Sequence, residues 1–145
     1  MIDRLLKSLF AQEPQILADE DARLALTALL VRLARSDHDY AATEIDRIDQ
    51  IVSARYGLSP WEAAALRTEA ETLEAEAPDT VRFTRAIKDA VPYEARTAIV
   101  EAAWSVVMAD GSRADEEDAL MRLVARLLGV NDRDSNIARQ KASKS

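Results

Sequence analysis

The feature that most constrains the fold is an internal repeat within the 145 residues. Residues 23–37, RLALTALLVRLARSD, align with residues 96–110, RTAIVEAAWSVVMAD, and the same register places Glu44 on Glu117. Apolar residues recur in both copies at the spacing of an α-helix. Because acidic landmarks and the apolar pattern coincide in one register, the repeat predicts two copies of a helix, an acidic turn and a second helix.

Start and stop signals delimit the helices around this repeat. Gly57 and Gly129 match when the first copy is allowed one extra residue, and glycine provides the left-handed conformation that ends a helix. Ser59, Pro60 and Glu62 fit an N-cap, a first helical residue and a capping-box carboxylate, so they predict a helix from residue 60 to about residue 75. The other predicted helices cover residues 19–36, Ile45 to Tyr56, Asp79 or Thr80 through Ile87, Pro92 to Met108, Leu120 to Leu128, and a last one capped by Asn131 or Asp132.

Composition supports a wholly helical fold. Only three Gly and four Pro interrupt a chain rich in Ala, Leu, Arg and Glu, which lose little side-chain freedom in a helix. We expect one all-α domain over residues 1–145, a bundle of about seven or eight helices. Residues 1–18 supply an N-terminal helix and linker, 19–141 the core, and 142–145 a frayed tail. The residues expected to be buried are Leu30, Leu33, Ile48, Ile51, Trp104, Val107, Leu120 and Leu123.

Charge and cysteine content exclude several classes of function. Lys and Arg number 19 against 26 Asp and Glu, and the net charge of −7 repels the phosphate backbones of nucleic acids. Cations or basic protein partners suit this surface better. Cysteine is absent, which removes disulfides, thiolate catalysis and Cys-ligated zinc or iron–sulfur sites and is compatible with a cytoplasmic location.

The N-terminal segment MIDRLLKSLF has apolar residues at helical spacing, interrupted by Arg4 and Lys7. No apolar core or cleavage site of a signal peptide follows. We expect the segment to pack on its own domain or on a partner rather than to anchor at a membrane surface. Residues 98–109 contain Glu101 and are too short for a membrane span, which needs about 20 apolar residues.

Each acidic turn offers three carboxylates that could bind a metal ion. The candidate ligands are Asp37, Asp39 and Glu44 in the first copy and Asp110, Asp115 and Glu117 in the second. Hard cations such as Ca²⁺, Mg²⁺ or Mn²⁺ take oxygen ligands, and a turn followed by a helix can bring carboxylates together. We expect the second turn to be the better site, because Gly111 allows the backbone to turn without strain.

The same carboxylates also fit a purely structural explanation. Asp39 or Ser112 can serve as an N-cap, and acids in the first turn of a helix complement its dipole. An EF-hand is excluded more firmly. The twelfth position of such a loop would be Ile48 or Met121, where a bidentate Glu is required.

The sequence gives little support for catalysis. His38 is the only histidine, and we expect it to fill the turn or face solvent rather than to act in catalysis; capture of a transition metal together with Asp37 and Asp39 stays open as an alternative. Paired carboxylates could hydrolyse a glycosidic bond, but no sugar platform or cleft is marked, so a hydrolase ranks third among the functions considered. Trp61 and Trp104 are expected in the core or against a partner. Arg23 and Arg96, which align in the repeat, are expected to pair with local acids rather than with a ligand.

These landmarks resemble the TerB family, tellurite-resistance protein B and its bacterial relatives. The family's marker is an Ala-Asp-Gly turn with a Glu seven residues after the Asp, and residues 108–130, MADGSRADEEDALMRLVARLLGV, contain it. The resemblance covers roughly residues 20–141 and extends through RFTRAIKDAV and LLGVNDRDSNIARQ. It implies an all-helical bundle of two pseudo-twofold halves, with acidic residues as metal ligands and no established reaction. One departure is His38, which stands where the family usually has Gly.

Two classes of function follow from the residues and the resemblance. The leading hypothesis is a non-enzymatic acidic module that binds a divalent cation, Ca²⁺, Mg²⁺ or Mn²⁺, and docks a protein partner. The family name implies a role in metal or envelope stress. The alternative is a structural protein–protein interaction domain without metal. The identity of the partner stays open, and it includes a second copy of the chain in a homodimer.

Overall fold

The structure is a computed structural model that describes residues 19–36, 40–76, 79–109 and 115–143, together with Leu6. Numbered in chain order, the helices in these ranges are α1 (Asp19–Arg35), α2 (Ala42–Tyr56), α3 (Pro60–Glu76), α4 (Thr80–Ala90), α5 (Tyr93–Val107), α6 (Asp115–Leu127) and α7 (Asp132–Ser143). The described ranges contain no strand, and the predicted all-α class is confirmed. None of these helices is both long enough and apolar enough to cross a membrane.

The packing of the helices repeats along the chain. Helix α1 packs most extensively against α3, and its counterpart α5 packs most extensively against α7. The two counterparts also touch each other, and α1 lies in addition against α2, α4 and α6. The helices that carry the aligned stretches of the repeat are therefore the ones around which the others gather.

Helix α1 is buried because it is apolar on nearly every face. Leu24 to Leu26 and Ala28 to Leu30 are all almost completely shielded from solvent, as are Leu33 and Ala34. The second half contributes Trp104 at 4% exposure, and helix α4 contributes Phe83 at 0%. A core built this way depends on close packing of aliphatic side chains, so removing any one of them leaves a cavity.

Most of the residues expected in the core are there, and one is not. Five of the eight are buried, namely Leu30, Leu33, Ile48, Trp104 and Val107. Ile51 and Leu120 are half-buried and pack against the core. Leu123 is 38% exposed, and its predicted burial is wrong. Met121, Val124 and Ala125 form the buried stripe of α6, which Leu128 continues just past the helix end, and Leu123 lies about 200° around the helix from Met121.

The N-terminal cap of α3 confirms the capping box expected from the sequence. The backbone N–H of Glu62 donates to the Ser59 hydroxyl at 3.2 Å, and the Ser59 N–H donates to the Glu62 carboxylate at 3.0 Å. Helix α7 is capped at the equivalent place, where the Asp134 N–H donates to the Asn131 side-chain oxygen at 2.8 Å. Local hydrogen bonds thus fix where both helices begin.

The glycine stops also match between the two halves. Gly57 and Gly129 adopt left-handed backbone angles, with φ of 65° and 74°. In the first half the Leu58 N–H donates to the Ser53 carbonyl at 3.0 Å, and in the second half the Val130 N–H donates to the Ala125 carbonyl at 2.9 Å. This is the hydrogen bond of a Schellman motif, so α2 and α6 end in the same way.

The two ends of the chain bear on the predicted boundaries. Leu6 is helical, half-buried and packed against the core, as expected for a segment that packs on its own domain. The other residues of the N-terminal segment lie outside the described ranges. At the other end, α7 continues through Ser143 and buries Ala142. The helix therefore extends beyond residue 141, where the frayed tail was expected to follow.

Candidate functional site

The structure covers the predicted carboxylate sites only in part. Asp37, Asp39 and Asp110 lie outside the described residues. Asp115 and Glu117 belong to the first turn of α6, although their side chains also lie outside what is described. Glu44 is the one candidate ligand whose side chain is placed. Among the described residues no group of three His, Asp or Glu side chains is arranged to hold a metal ion.

The backbone places the two glutamates of the repeat at the same helical position. Helix α2 begins at Ala42 and α6 begins at Asp115, so Glu44 and Glu117 are each the third residue of their helix. The register deduced from the sequence therefore holds at the start of both second helices. A carboxylate at this position points its charge toward the positive end of the helix dipole.

Glu44 is buried, with a relative exposure of 1%. Its Oε1 accepts a hydrogen bond from the backbone N–H of Ala41 at 3.3 Å. Ala41 is the N-cap of α2, so the expectation that Asp39 would occupy that place is wrong. Alanine has no side-chain acceptor, and among the described residues it is Glu44 whose side chain bonds to this cap.

A network of ion pairs joins the start of α2 to α3. The Arg67 guanidinium contacts Asp49 at 2.6 Å and Glu71 at 3.0 Å. Glu71 in turn accepts a hydrogen bond of 2.8 Å from the Tyr40 hydroxyl, whose ring lies 5.0 Å below the Arg35 guanidinium. Burial is the main cause that raises the pKa of Tyr40, and the bond to Glu71 adds to it.

A second set of contacts ties the end of α1 to α3. Glu74 accepts from Arg35 at 3.2 Å and lies 3.7 Å from Arg32, which also donates to the backbone carbonyl of Glu74 at 3.3 Å. These arginines occupy the last turn of α1, where positive charge is favoured by the helix dipole. The acidic turn that follows α1 is therefore preceded by a firmly held helix end.

The two aligned arginines reach equivalent places in the two halves. The Arg23 guanidinium lies 4.8 Å from the centre of the Tyr56 ring, just before the stop at Gly57. Arg96 donates to the backbone carbonyl of Leu128 at 2.7 Å, just before the stop at Gly129. Neither forms an ion pair with a carboxylate in the part of the chain that is described. Within those ranges the two arginines contact the ends of α2 and α6, and their expected pairing with local acids stays a prediction.

Two surface grooves also occupy equivalent places. The first groove, between α1 and α3, has a volume of about 610 Å³, and the second groove, between α5 and α7, has about 410 Å³. Five lining residues of the first groove align with five of the second. The aligned pairs are Leu24 with Thr97, Glu62 with Asp134, Ala65 with Ile137, Leu66 with Ala138, and Glu69 with Lys141.

The exposed tryptophan distinguishes the first groove from the second. Trp61 lines the first groove and is 79% exposed, so it is not a core residue. Arg133 holds the equivalent place at the start of α7 and is also exposed. Around the second groove the Tyr93 hydroxyl donates to Asp134 at 2.6 Å and accepts from Asn131 at 3.2 Å. The bond to Asp134 is the main cause that raises the pKa of Tyr93, and the bond from Asn131 opposes it. The second groove is therefore the more polar of the two.

An all-helical bundle of two matching hairpins, each with a glutamate at the third position of its second helix, defines the class of protein. The family described as tellurite resistance protein TerB matches residues 23–140. The chain therefore belongs to the TerB family, and the resemblance noted in the sequence is confirmed. Neither a curated protein nor a solved structure gives a significant match to the chain.

Proposed function

We propose that the chain is a non-enzymatic acidic TerB module that binds a divalent cation at its acidic turns and docks a protein partner. The observation that carries the cation part is the burial of Glu44 beside the first turn. Acids on a helix surface need no burial to complement the dipole. A carboxylate held inside the bundle, next to a turn that contains Asp37 and Asp39, has the fixed position that a metal ligand requires.

The repeat extends this argument to the second turn. Glu117 occupies the same helical position as Glu44, and Asp110 aligns with Asp37. Gly111 follows Asp110, whereas His38 follows Asp37, and glycine adopts turn conformations at no steric cost. The second turn is therefore proposed as the stronger cation site and the first as the weaker.

Thermal unfolding with and without Ca²⁺, Mg²⁺, Mn²⁺ and chelator tests the cation part. A cation that binds only the folded chain adds about 2.7 kcal/mol at a hundredfold excess over its Kd. Asp110→Asn should remove most of this gain, and Asp37→Asn should remove less. Asp89→Asn is the matched control, because Asp89 is an exposed acid on α4 and belongs to neither turn.

Glu44→Gln separates metal binding from helix capping. The amide oxygen of glutamine still accepts the hydrogen bond from Ala41, but the charge is lost. A chain that folds normally and no longer responds to the cation at the first turn would support the proposal. If all three cations leave the melting temperature of the unaltered chain unchanged, the acids are helix caps and the cation part is abandoned.

The second candidate is an interaction domain without metal, and the first groove favours it. A tryptophan that is 79% exposed beside an apolar groove is the kind of residue that anchors a protein interface. This function needs no cation and would survive the failure of the melting experiment. Partner binding that persists in chelator and is lost in Trp61→Ala would identify it.

A further inference from the structure

The first groove has the shape of a helix-binding site. It runs along α3 from Trp61 to Thr72, eleven residue steps that span about 16 Å at 1.5 Å per residue. A helix of about three turns covers this length. The described ranges contain no strand, so they offer no strand edge to which an extended peptide could add. A helix lying in the groove between α1 and α3 is a mode of recognition that fits the length and lining of this surface.

The exposed Trp61 of the first groove is not required by the fold. Leu24 and Leu66, which also line this groove, belong to the core or pack against it, whereas Trp61 is 79% exposed and Arg133 holds its aligned place in α7. Both hairpins nevertheless make the same caps and glycine stops. Because the second half accepts an exposed arginine at the aligned place, the exposed Trp61 reflects something other than the needs of folding.

The charge at the first groove is negative. Glu62 and Glu69 lie one above the other along α3, and Arg23, at the edge, is turned over the Tyr56 ring. Hydrogen bonds from the backbone and hydroxyl of Ser59 lower the pKa of Glu62, which therefore stays ionised at neutral pH. Glu69 is exposed and forms no ion pair within the described part of the chain. An occupant with basic residues beside its apolar stripe complements this arrangement.

We propose that the first groove docks an amphipathic helix of a partner protein, about three turns long, whose apolar stripe packs on Trp61 and Leu66 and whose flanking Lys or Arg residues face Glu62 and Glu69. The proposal deepens the partner-docking part of the proposed function and is independent of the cation part. Trp61 serves as the anchor, and the carboxylates select for basic flanks.

Fluorescence anisotropy with labelled synthetic helices tests this proposal on the full chain in chelator, so that the fate of the cation sites does not affect the result. The probes are a panel of three-turn peptides with Leu, Ile or Phe at the apolar stripe positions and Lys at the flanks. A second panel has Glu in place of every Lys. We expect at least one basic peptide to bind, the acidic peptides to bind at least tenfold more weakly, and added salt to weaken the basic ones.

Variants place the binding in the groove. Trp61→Ala should weaken binding of the basic peptide about tenfold or more, as for an interface hot spot. Glu69→Lys should weaken it severalfold and improve binding of the acidic panel. Arg133→Ala is the matched control, because Arg133 is the exposed residue at the place in α7 that Trp61 holds in α3, and it should leave binding unchanged.

Several results would overturn the proposal. One is that no peptide of the basic panel binds, and another is that basic and acidic panels bind alike. Equal binding by Trp61→Ala would remove the anchor. A dimer of the unaltered chain that Trp61→Ala dissociates would assign the groove to a second copy, and Trp61-dependent binding to neutral phosphatidylcholine vesicles would assign it to a membrane surface.

Discussion

The two grooves lie at equivalent places in the repeat, yet the first is the more apolar and has an exposed Trp61, whereas the second is the more polar and has Arg133 at the aligned place. The backbone features around them hardly differ. Both second helices carry a glutamate at their third position, and both end at a left-handed glycine. The two halves therefore share the positions at which their helices begin and end, whereas the residues that line their grooves differ.

The largest expected difference in stability is between truncation of a buried leucine in the first half and of an exposed leucine in the second. Leu30 of α1 is fully buried, whereas Leu123 of α6 is 38% exposed. Leu30→Ala should lower the free energy of unfolding by about 2–5 kcal/mol, because it leaves a cavity at the centre of the bundle. Leu123→Ala should cost less than about 1 kcal/mol. Urea unfolding of both variants measures the contrast, and equal losses would show that the buried face of α6 is misplaced.

Leu123 also shows which features of the sequence predict burial and which do not. An apolar residue among Leu120, Val124 and Leu127 is naturally counted in the stripe. Its partner in the repeat, however, is Gln50, which is exposed in α2. The alignment of the repeat therefore indicates correctly that Leu123 is exposed, whereas apolar periodicity alone does not. Two copies of a helix constrain its buried face better than the pattern of either copy.

The glycine stops give the next largest contrast. Alanine at either position must adopt a positive φ, which costs about 1–2 kcal/mol. At Gly57 a Cβ would meet nothing within 4 Å, but at Gly129 it would lie 2.8 Å from Arg96 Nη1 and 3.2 Å from Lys88 Cε. Gly129→Ala should therefore be the more destabilising of the two, because it also displaces the Arg96 bond to Leu128. Thermal melts of both variants would refute this if Gly57→Ala proved the worse.

Local signals and contacts between helices differ in how well the sequence reveals them. The caps at Ser59 and Asn131 depend on neighbours three residues away, and both were predictable. The bond between Tyr40 and Glu71 joins residues 31 apart, and its existence depends on how α2 and α3 are rotated against each other. The grooves depend on the same rotations. Apolar periodicity does not determine these rotations, so neither the groove nor the exposure of Trp61 beside it could be predicted from the sequence.

The candidate cation sites could be predicted from the sequence only in part. The alignment of Glu44 with Glu117 came from the repeat, and the backbone places both at the third residue of a helix. The burial of Glu44 and its bond to Ala41 did not follow from spacing. An acid at the start of a helix is commonly exposed, and only the packing of α2 on the bundle encloses this one.

The polar network of the first half should contribute a smaller and pH-dependent amount. Tyr40→Phe keeps the ring beneath Arg35 but removes the bond to Glu71, and it should cost about 1–2 kcal/mol. The folded state raises the pKa of Tyr40 above its ordinary value of 10.0, so this contribution is fully present below pH 10 and is lost as pH rises through the folded pKa.

Urea unfolding of the unaltered chain and of Tyr40→Phe over a range of pH measures that contribution. The difference between the two should be constant at neutral and mildly alkaline pH and should shrink above pH 10. A difference that grows above pH 10 would contradict the assigned bond. Tyr93→Phe in the second half is the matched substitution, and we expect it to have the smaller effect because the Tyr93 hydroxyl lies at the edge of an open groove.

The smallest expected effect on stability belongs to the residue with the largest expected effect on binding. Trp61→Ala and Arg133→Ala change equivalent exposed residues, and each should alter the free energy of unfolding by less than about 0.5 kcal/mol.

Fluorescence offers an independent check, because Trp104 is 4% exposed and Trp61 is 79% exposed. Trp61→Ala should therefore remove the red-shifted part of the emission and leave that of a buried indole. If Trp61→Ala costs more than about 1 kcal/mol while Arg133→Ala costs nothing, the ring stabilises the first half itself. The difference between the grooves would then belong to folding, and the first groove would lose its claim to a partner helix.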